Sequence, residues 1–114
     1  MALNNTCLDI GATAMRNAIT HLALHTANPE PTGTSPATSA RQAAGWGAVA
    51  NGDFSTSNVN FTGGAANGPC TYVGFWSAST GGTFYGSQAL TGDQTFNSAG
   101  EYTITSLTAN GSST

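Results

Sequence analysis

The side chains that could bind a metal or act as acids and bases are few, and their spacing does not bring them together. On a strand, His21 and His25 would share one face about two pleats apart, which is too far to bind one zinc ion directly without a bend. No third ligand is evident in the sequence. The acids mostly fall at a helix start or in turns, where they have ordinary local roles: Asp9, Glu30, Asp53, Asp93 and Glu101. We therefore expect no metal site and no cofactor.

Sequence motifs of nucleophilic catalysis and phosphate binding are also missing. The chain has no G-x-S-x-G, no G-x-x-x-x-G-K-[ST] and no H-E-x-x-H pattern. Cys7 and Cys70 could form a bridge if the helix start lay against the fourth strand. For a protein made in a bacterial cytoplasm, however, buried free thiols are the favoured state. We predict no catalytic residue and no enzymatic activity.

The charge of the chain restricts its partners. It has no Lys, its two arginines are Arg16 and Arg41, and its formal net charge is -3. Nucleic-acid grooves and anionic membranes both require clustered cations, so neither partner is expected. No run of apolar residues approaches the 18 or so that a membrane-spanning helix needs. Only 6% of the residues are charged, so solubility must come from uncharged polar side chains.

Residues 6–19 form the clearest helical segment. Thr6 and Asp9 have the spacing of a capping box, with Asp in place of Glu. Apolar residues recur at helical spacing and predict one buried stripe: Leu8, Ala12, Met15 and Ile19, widened by Ile10, Ala14 and Ala18. Gly11 interrupts the helix at a cost of about 1 kcal/mol relative to Ala, and it could allow a sheet to approach closely.

A strand and a proline-rich arm follow the helix. In "THLALHTA", a period of two places Leu22 and Leu24 on one face and His21 and His25 on the other. Residues 27–42 contain three of the four prolines, which predicts an extended loop or arm without its own core. This arm could make an assembly contact or be a floppy surface loop.

Five short segments with β character follow the arm, and turn signals such as "GGAANGP" and "STGG" separate them. These segments are residues 43–50, 53–61, 70–78, 83–90 and 101–109. We therefore predict a mainly β fold, an antiparallel β-sandwich or partial barrel of about six to eight short strands with one N-terminal α-helix. Residues 1–114 would form a single domain, since the chain is too short for two.

The segment "TYVGFWSASTGGTFYGSQAL", residues 71–90, predicts a hairpin with Gly81 and Gly82 as a two-residue turn. One face would belong to the core: Val73, Phe75, Ser77, Phe84 and Leu90. The other face would carry Tyr72, Gly74, Trp76, Ala78 and Tyr85. Because the rings of the second face have polar tips, that face could meet a partner or lie under the helix or arm.

Large aromatic side chains and arginine dominate protein interfaces, so they supply the candidate partner contacts. These candidates are Arg41, Trp46, Tyr72, Trp76 and Tyr85. Arg41 would also close the arm by hydrogen bonds. Each aromatic candidate can equally be interpreted as a core residue.

Several segments together resemble a family of small virion proteins of tailed bacteriophages, especially those of actinobacteria, often labelled tail or minor structural proteins. The segments cover residues 22–109 in order: "LALHTANPEPTG", "ARQAAGWGAVANG", "VNFTGG", "CTYVGFWSASTGGTFYGSQAL" and "FNSAGEYTITSLTA". The arm departs from the family pattern, which has an acidic residue and a Tyr before "ARQ". The resemblance implies a virion component without catalytic residues.

We therefore expect a non-enzymatic structural protein on the exterior of the virion, made in the cytoplasm of the bacterial host. The first expectation is a capsid decoration subunit, and the second is a minor tail or tail fibre subunit. Its partners would be major capsid or tail proteins and copies of itself, for example in a trimer. The start "MALNNTCLDIG" does not resemble a secretory signal, and lysis would release a virion protein without one.

A carbohydrate-binding adhesin module is the alternative from another class of function. Trp76 and Tyr85 would then form an exposed platform on which sugar rings stack, and Asn and Asp side chains on turns would supply hydrogen bonds. This alternative requires the two rings to be exposed and coplanar.

Overall fold

The computed structural model describes residues 3–110 and has one helix and six strands in that range. In chain order they are α1 (Asn5–Ala18), β1 (His21–His25), β2 (Gln42–Ala43), β3 (Asp53–Phe61), β4 (Tyr72–Trp76), β5 (Phe84–Ala89) and β6 (Tyr102–Asn110). The strands form two antiparallel sheets that do not close into a barrel. The predicted mainly β, sandwich-like fold is confirmed.

The helix α1 begins with a different cap from the predicted one. Asn4 is the N-cap, and its side-chain oxygen accepts a hydrogen bond from the Cys7 N–H at 3.0 Å. Thr6 lies inside the first turn, so the predicted capping box is wrong. The carboxylate of Asp9 instead accepts a hydrogen bond from the Gly52 N–H at 2.7 Å. Asn is among the strongest N-cap residues, which leaves Asp9 free to tie the helix to the segment before β3.

The helix buries a narrower stripe than its sequence indicates. Ala12 is fully buried, Leu8 is half-buried, and Ile19 is buried just after the helix ends. Ile10, predicted to widen this stripe, is 69% exposed, so that part of the prediction is wrong. The reason is geometric, because Ile10 lies about 160° around the helix from Ala12 at roughly 100° per residue.

With 14 residues, α1 is too short to cross a bilayer, and no helix in the described part of the chain could do so.

The two sheets enclose the core. The first has the strand order β2-β1-β4-β5, and the second pairs β3 with β6 from Asp53↔Asn110 to Phe61↔Tyr102. The first sheet contributes Leu22, Leu24 and Val73 to the core. The second sheet contributes Phe54, Val59, Phe61, Ile104 and Leu107. The two leucines predicted on one face of β1 both join this core, although Ala23 and His25 are buried as well.

The hairpin β4–β5 differs from its prediction at two points. Its connection is a longer loop, in which the Ser77 N–H donates to the Thr83 carbonyl at 3.1 Å, so the two-residue turn is wrong. Phe75 pairs with Gly86 but Trp76 pairs with Phe84, which leaves Tyr85 as the extra residue of a β-bulge. The bulge therefore reverses the faces predicted for two adjacent residues. Phe84 lies beside Trp76, and Tyr85 lies on the helix side of the sheet.

The arm is packed against the outer face of the first sheet. The Thr26 N–H donates to the Ser35 carbonyl at 2.9 Å, and the Ala37 N–H donates to the Leu24 carbonyl at 2.9 Å, so the arm returns along β1. It crosses to the far edge of the sheet, where the Glu30 carboxylate accepts a hydrogen bond from the Ser87 hydroxyl at 2.7 Å. The arm thus covers Trp76 of the hairpin, which lies against Gly33.

The predicted strand at residues 43–50 is largely absent. Only Gln42 and Ala43 pair with β1, and beyond them only Ala44 and Trp46 of this segment are buried. Trp46 lies in the core with 8% of its surface exposed, and Arg16 donates to the Trp46 and Gly47 carbonyls. Packing of one large ring therefore replaces sheet pairing in this segment.

Candidate interaction surface

A stack of side chains joins the arm to the hairpin. The guanidinium carbon of Arg41 lies 3.8 Å from the centre of the Trp76 ring, a cation–π contact. Its Nη1 donates to the carbonyls of Ala78 and Gly81 at 2.9 and 2.8 Å. The predicted closure of the arm by Arg41 hydrogen bonds is therefore confirmed. The Trp76 ring also stacks on His25, with 6.2 Å between the ring centres and 12° between their planes.

The stack is closed by two glycines that leave no room for a side chain. A Cβ at Gly33 would lie 2.6 Å from the Trp76 ring, and one at Gly74 would lie 2.8 Å from Cδ2 of His25. Both distances are shorter than real Cβ contacts allow. The stack therefore has the close packing of a protein interior rather than the shape of an open binding platform.

His25 is fully buried and held in one tautomer. Its Nδ1 lies 2.9 Å from the Thr34 carbonyl, which can only accept, so Nδ1 carries the proton. Nε2 then accepts a hydrogen bond from the Trp76 indole N–H at 3.4 Å. Burial lowers the pKa of His25, and the nearby positive charge of Arg41 lowers it further. The neutral imidazole is thus part of the packing between the arm and the sheet.

This burial predicts that mild acid destabilises the protein through His25. Its folded pKa lies below the ordinary 6.5, so below pH 6.5 the unfolded chain binds a proton that the folded protein resists. The free energy of unfolding should therefore fall as the pH drops from about 7.5 to 5.5, and His25→Gln should remove part of that slope. Chemical denaturation at several pH values measures both variants. A folded-state NMR titration showing His25 charged at pH 6.5 would contradict this prediction.

The structure distributes the five predicted partner residues over three environments. Trp46 is in the core, where its indole N–H donates to the Ile19 carbonyl at 2.8 Å. Arg41, near the end of the arm, and Trp76, over whose ring it lies, are half-buried, and Tyr72 is half-buried on the same strand as Trp76. Tyr85 is 50% exposed. Because Trp76 and Tyr85 lie on opposite faces of the sheet, the predicted sugar-stacking platform is wrong.

An exposed apolar groove lies between the helix and β5, and the sequence did not reveal it. Its volume is about 320 Å³, and it is lined by Ala14, Met15, Ala18, Ile19 and Tyr85. Met15 is 38% exposed and Tyr85 is 50% exposed. Sequence reasoning placed Met15 in the buried stripe and missed the bulge that turns Tyr85 to this side.

A second, polar groove follows the edge of β6. It has a volume of about 420 Å³, and its lining includes Asp93, Asn97, Glu101 and Tyr102. The Asp93 carboxylate accepts from the N–H and the hydroxyl of Thr95, and the Asn97 side chain accepts from the Glu101 N–H. For Asp93 this is the local turn role predicted for the acids, whereas the Glu30 carboxylate accepts from Ser87, 57 residues away. Within residues 3–110, no three potential metal ligands cluster.

The two cysteines are free and lie in different environments. Cys70 is buried, as predicted, and burial together with nearby Asp93 raises the pKa of its thiol to about 11. Cys7 is exposed on the helix, so the prediction of a buried thiol is wrong there. The helix turns Cys7 outward because its buried stripe runs through Leu8 and Ala12 instead.

Comparison with known proteins identifies the family. A family model described as "Podophage GP4 fiber I protein gp80" matches residues 2–110. No curated protein and no solved structure shows a significant match. The match confirms the resemblance to virion proteins of tailed phages at the level of a phage structural protein. The chain therefore belongs to the gp80 family of podophage fibre proteins, which are structural components of the virion.

Proposed function

We propose that this protein is a non-enzymatic subunit of a phage fibre, located on the outside of the virion. The observation that carries the proposal is the family match over residues 2–110, whose description names a fibre protein. The sequence alone favoured capsid decoration over a tail fibre. The description of the matching family supports the fibre, and we therefore place the fibre first.

The shape and surface chemistry support a role in assembly. The molecule measures 47 × 25 × 21 Å, so it is elongated. Both arginine side chains donate to main-chain carbonyls of the same chain. Contacts with tail proteins or other copies would then depend on uncharged surfaces, which avoid the desolvation cost of burying ions. Such contacts gain strength when they are repeated along an assembly.

Labelling of intact particles tests the proposed location. Antibodies raised against the purified protein and coupled to gold should mark fibres in electron micrographs of the phage. Particles from a phage that lacks the gene provide the control and should bind no gold. Gold distributed over the capsid instead would overturn the fibre proposal and favour a decoration subunit.

A further inference from the structure

We propose that the arm, residues 27–42, is a latch that mild acid releases from the first sheet, with protonation of His25 as the trigger. Release uncovers the Trp76 ring and leaves the core between the two sheets intact. The inference goes beyond the proposed place in a fibre and does not depend on it.

His25 cannot take up a proton without losing its present contacts. Its Nδ1 already carries a proton, which it donates to the Thr34 carbonyl of the arm at 2.9 Å. A second proton must therefore go to Nε2, which lies 3.4 Å from the Trp76 indole nitrogen. The indole can only donate, so two N–H groups would then point at each other. Because the ring is fully buried, its charge would also lack water, and an unpaired buried charge is costly.

Among the described residues, no carboxylate is placed to offset a positive charge on His25. Burial lowers the pKa of His25 more than hydrogen bonds with the main chain of the arm raise it, and Arg41 adds a repelling charge. On the neighbouring strands, Tyr72 lies opposite His25 and Phe84 packs edge-on, and neither side chain is charged in acid. Glu30, the one acid of the arm, instead accepts a hydrogen bond from β5 at the far edge of the sheet.

The arm can open without disturbing the core. Every buried residue of the core cluster lies outside residues 27–42, and only Ala37 of the arm packs against that cluster. Pro29 is the one buried residue of the arm, and main-chain hydrogen bonds hold the arm to β1 at Ser35 and Ala37. Segments with few buried apolar contacts open at a lower free energy than the whole fold. Arg41, whose guanidinium is bound to the loop after β4, keeps the far end of the arm attached.

The direction of the pH dependence follows from the two states of His25. With the arm closed, the pKa of His25 lies below its ordinary value of 6.5. With the arm open, the ring reaches water and its pKa returns toward that value. Protons therefore bind the open form more tightly, and the proportion of open arms rises as the pH falls below 6.5. Between about pH 7.5 and 5.5, one such group shifts the opening equilibrium by up to about tenfold.

The two tryptophans provide an internal comparison for the test. The Trp76 ring lies against the arm at Gly33, whereas the Trp46 indole N–H is in the core and donates to the Ile19 carbonyl at 2.8 Å. NMR can measure solvent exchange of both indole protons in the unmodified protein, with free tryptophan as the reference for the intrinsic rate. Exchange at Trp76 should be faster than at Trp46 and should rise severalfold, up to about tenfold, from about pH 7.5 to 5.5.

Low urea concentrations distinguish release of the arm from unfolding of the whole protein. Urea promotes an opening in proportion to the surface that the opening exposes. At pH 5.5, low urea should therefore leave exchange at Trp76 almost unchanged and accelerate exchange at Trp46. Equal acceleration of the two would show that acid unfolds the whole fold, and it would overturn the latch. Exchange at Trp76 that does not respond to pH would reject His25 as the trigger.

His25→Gln separates the trigger from the packing. A glutamine can donate to the Thr34 carbonyl and accept from the Trp76 indole, but it does not titrate. Exchange at Trp76 should then no longer rise in acid. His21→Gln is the control, since His21 is half-buried on the same strand and its Nδ1 lies 2.9 Å from the Thr20 hydroxyl. The acid response should persist in His21→Gln, and its loss there would contradict the proposal.

Gly33→Ala should open the latch without acid. Its φ is +81°, and the added Cβ would lie 2.6 Å from the Trp76 ring, so the arm must move away from the sheet. At pH 7.5, exchange at Trp76 should rise while exchange at Trp46 stays far slower. Gly92→Ala has a similar φ of +74° and an open Cβ position, and it should leave Trp76 unaffected. Unchanged exchange in Gly33→Ala would show that the arm does not protect Trp76.

Discussion

Replacing Trp46 with alanine should lower the free energy of unfolding by about 3–5 kcal/mol, the usual cost of removing a large buried ring. The ring is 8% exposed and packs edge-on against Phe54, with 4.7 Å between ring centres. Its indole N–H also donates to the buried Ile19 carbonyl, which would lose its partner. A domain of this size has a total stability of about 5–15 kcal/mol. Denaturant titration should therefore show a large decrease in the denaturant concentration at the unfolding midpoint.

Trp46→Phe separates the ring from its hydrogen bond. It retains much of the buried apolar volume but leaves the Ile19 carbonyl without this donor, so it should cost about 1–3 kcal/mol. The pair of variants also tests the expectation that Trp46 anchors a partner. If Trp46→Ala left the unfolding midpoint unchanged and abolished association, the residue would be an interface anchor and its assignment to the core would be wrong.

Gly100→Ala is the second substitution with a large expected effect. Gly100 has a φ of +75°, a conformation that costs a residue with a Cβ about 1–2 kcal/mol. The added Cβ would also collide with the main-chain carbonyl of Gly64, and overpacking of this kind adds about 1–3 kcal/mol. The Gly64 N–H donates to the Gly100 carbonyl at 2.9 Å, so neither segment can move without losing a contact. Thermal unfolding should show a clear loss of stability.

Gly92→Ala provides the matched control. Gly92 has a φ of +74°, nearly the same as Gly100, but nothing lies within 4 Å of its Cβ position. Gly92→Ala should therefore lower the free energy of unfolding only by the cost of the left-handed backbone conformation, about 1–2 kcal/mol. Equal losses in the two variants would show that the contact with Gly64 does not restrict position 100.

Local patterns were sufficient where side chains alternate between two faces without interruption. In β1 the two leucines enter the core and His25 lies on the opposite face, as expected, and the predicted segment at residues 53–61 coincides with β3. The predicted faces of the hairpin were wrong for Phe84 and Tyr85. The single extra residue of the bulge, Tyr85, reverses the alternation of side chains between it and the loop. A period of two cannot reveal such an insertion, since the sequence on each side of a bulge looks regular.

Other features depend on contacts between distant segments. His25 was correctly placed on the face opposite Leu24, but its complete burial comes from the arm, whose proline-rich sequence does not indicate what it covers. The polar atoms of Asp9 were assigned to a local cap, whereas a partner 43 residues away in the chain occupies them. Composition did predict the uncharged surface, but not the groove in which Met15 and Tyr85 are exposed.

The hydrogen bonds of Arg16 and Arg41 have a consequence for crowded arrays of this protein. Both guanidinium groups are engaged by carbonyl oxygens of their own chain, while the formal net charge is -3. Neighbouring copies have no lysine and only these two arginines with which to neutralise one another. Dissolved counterions must balance the negative charge that accumulates with every added copy, and acidification toward the isoelectric point of about 4.8 removes this repulsion.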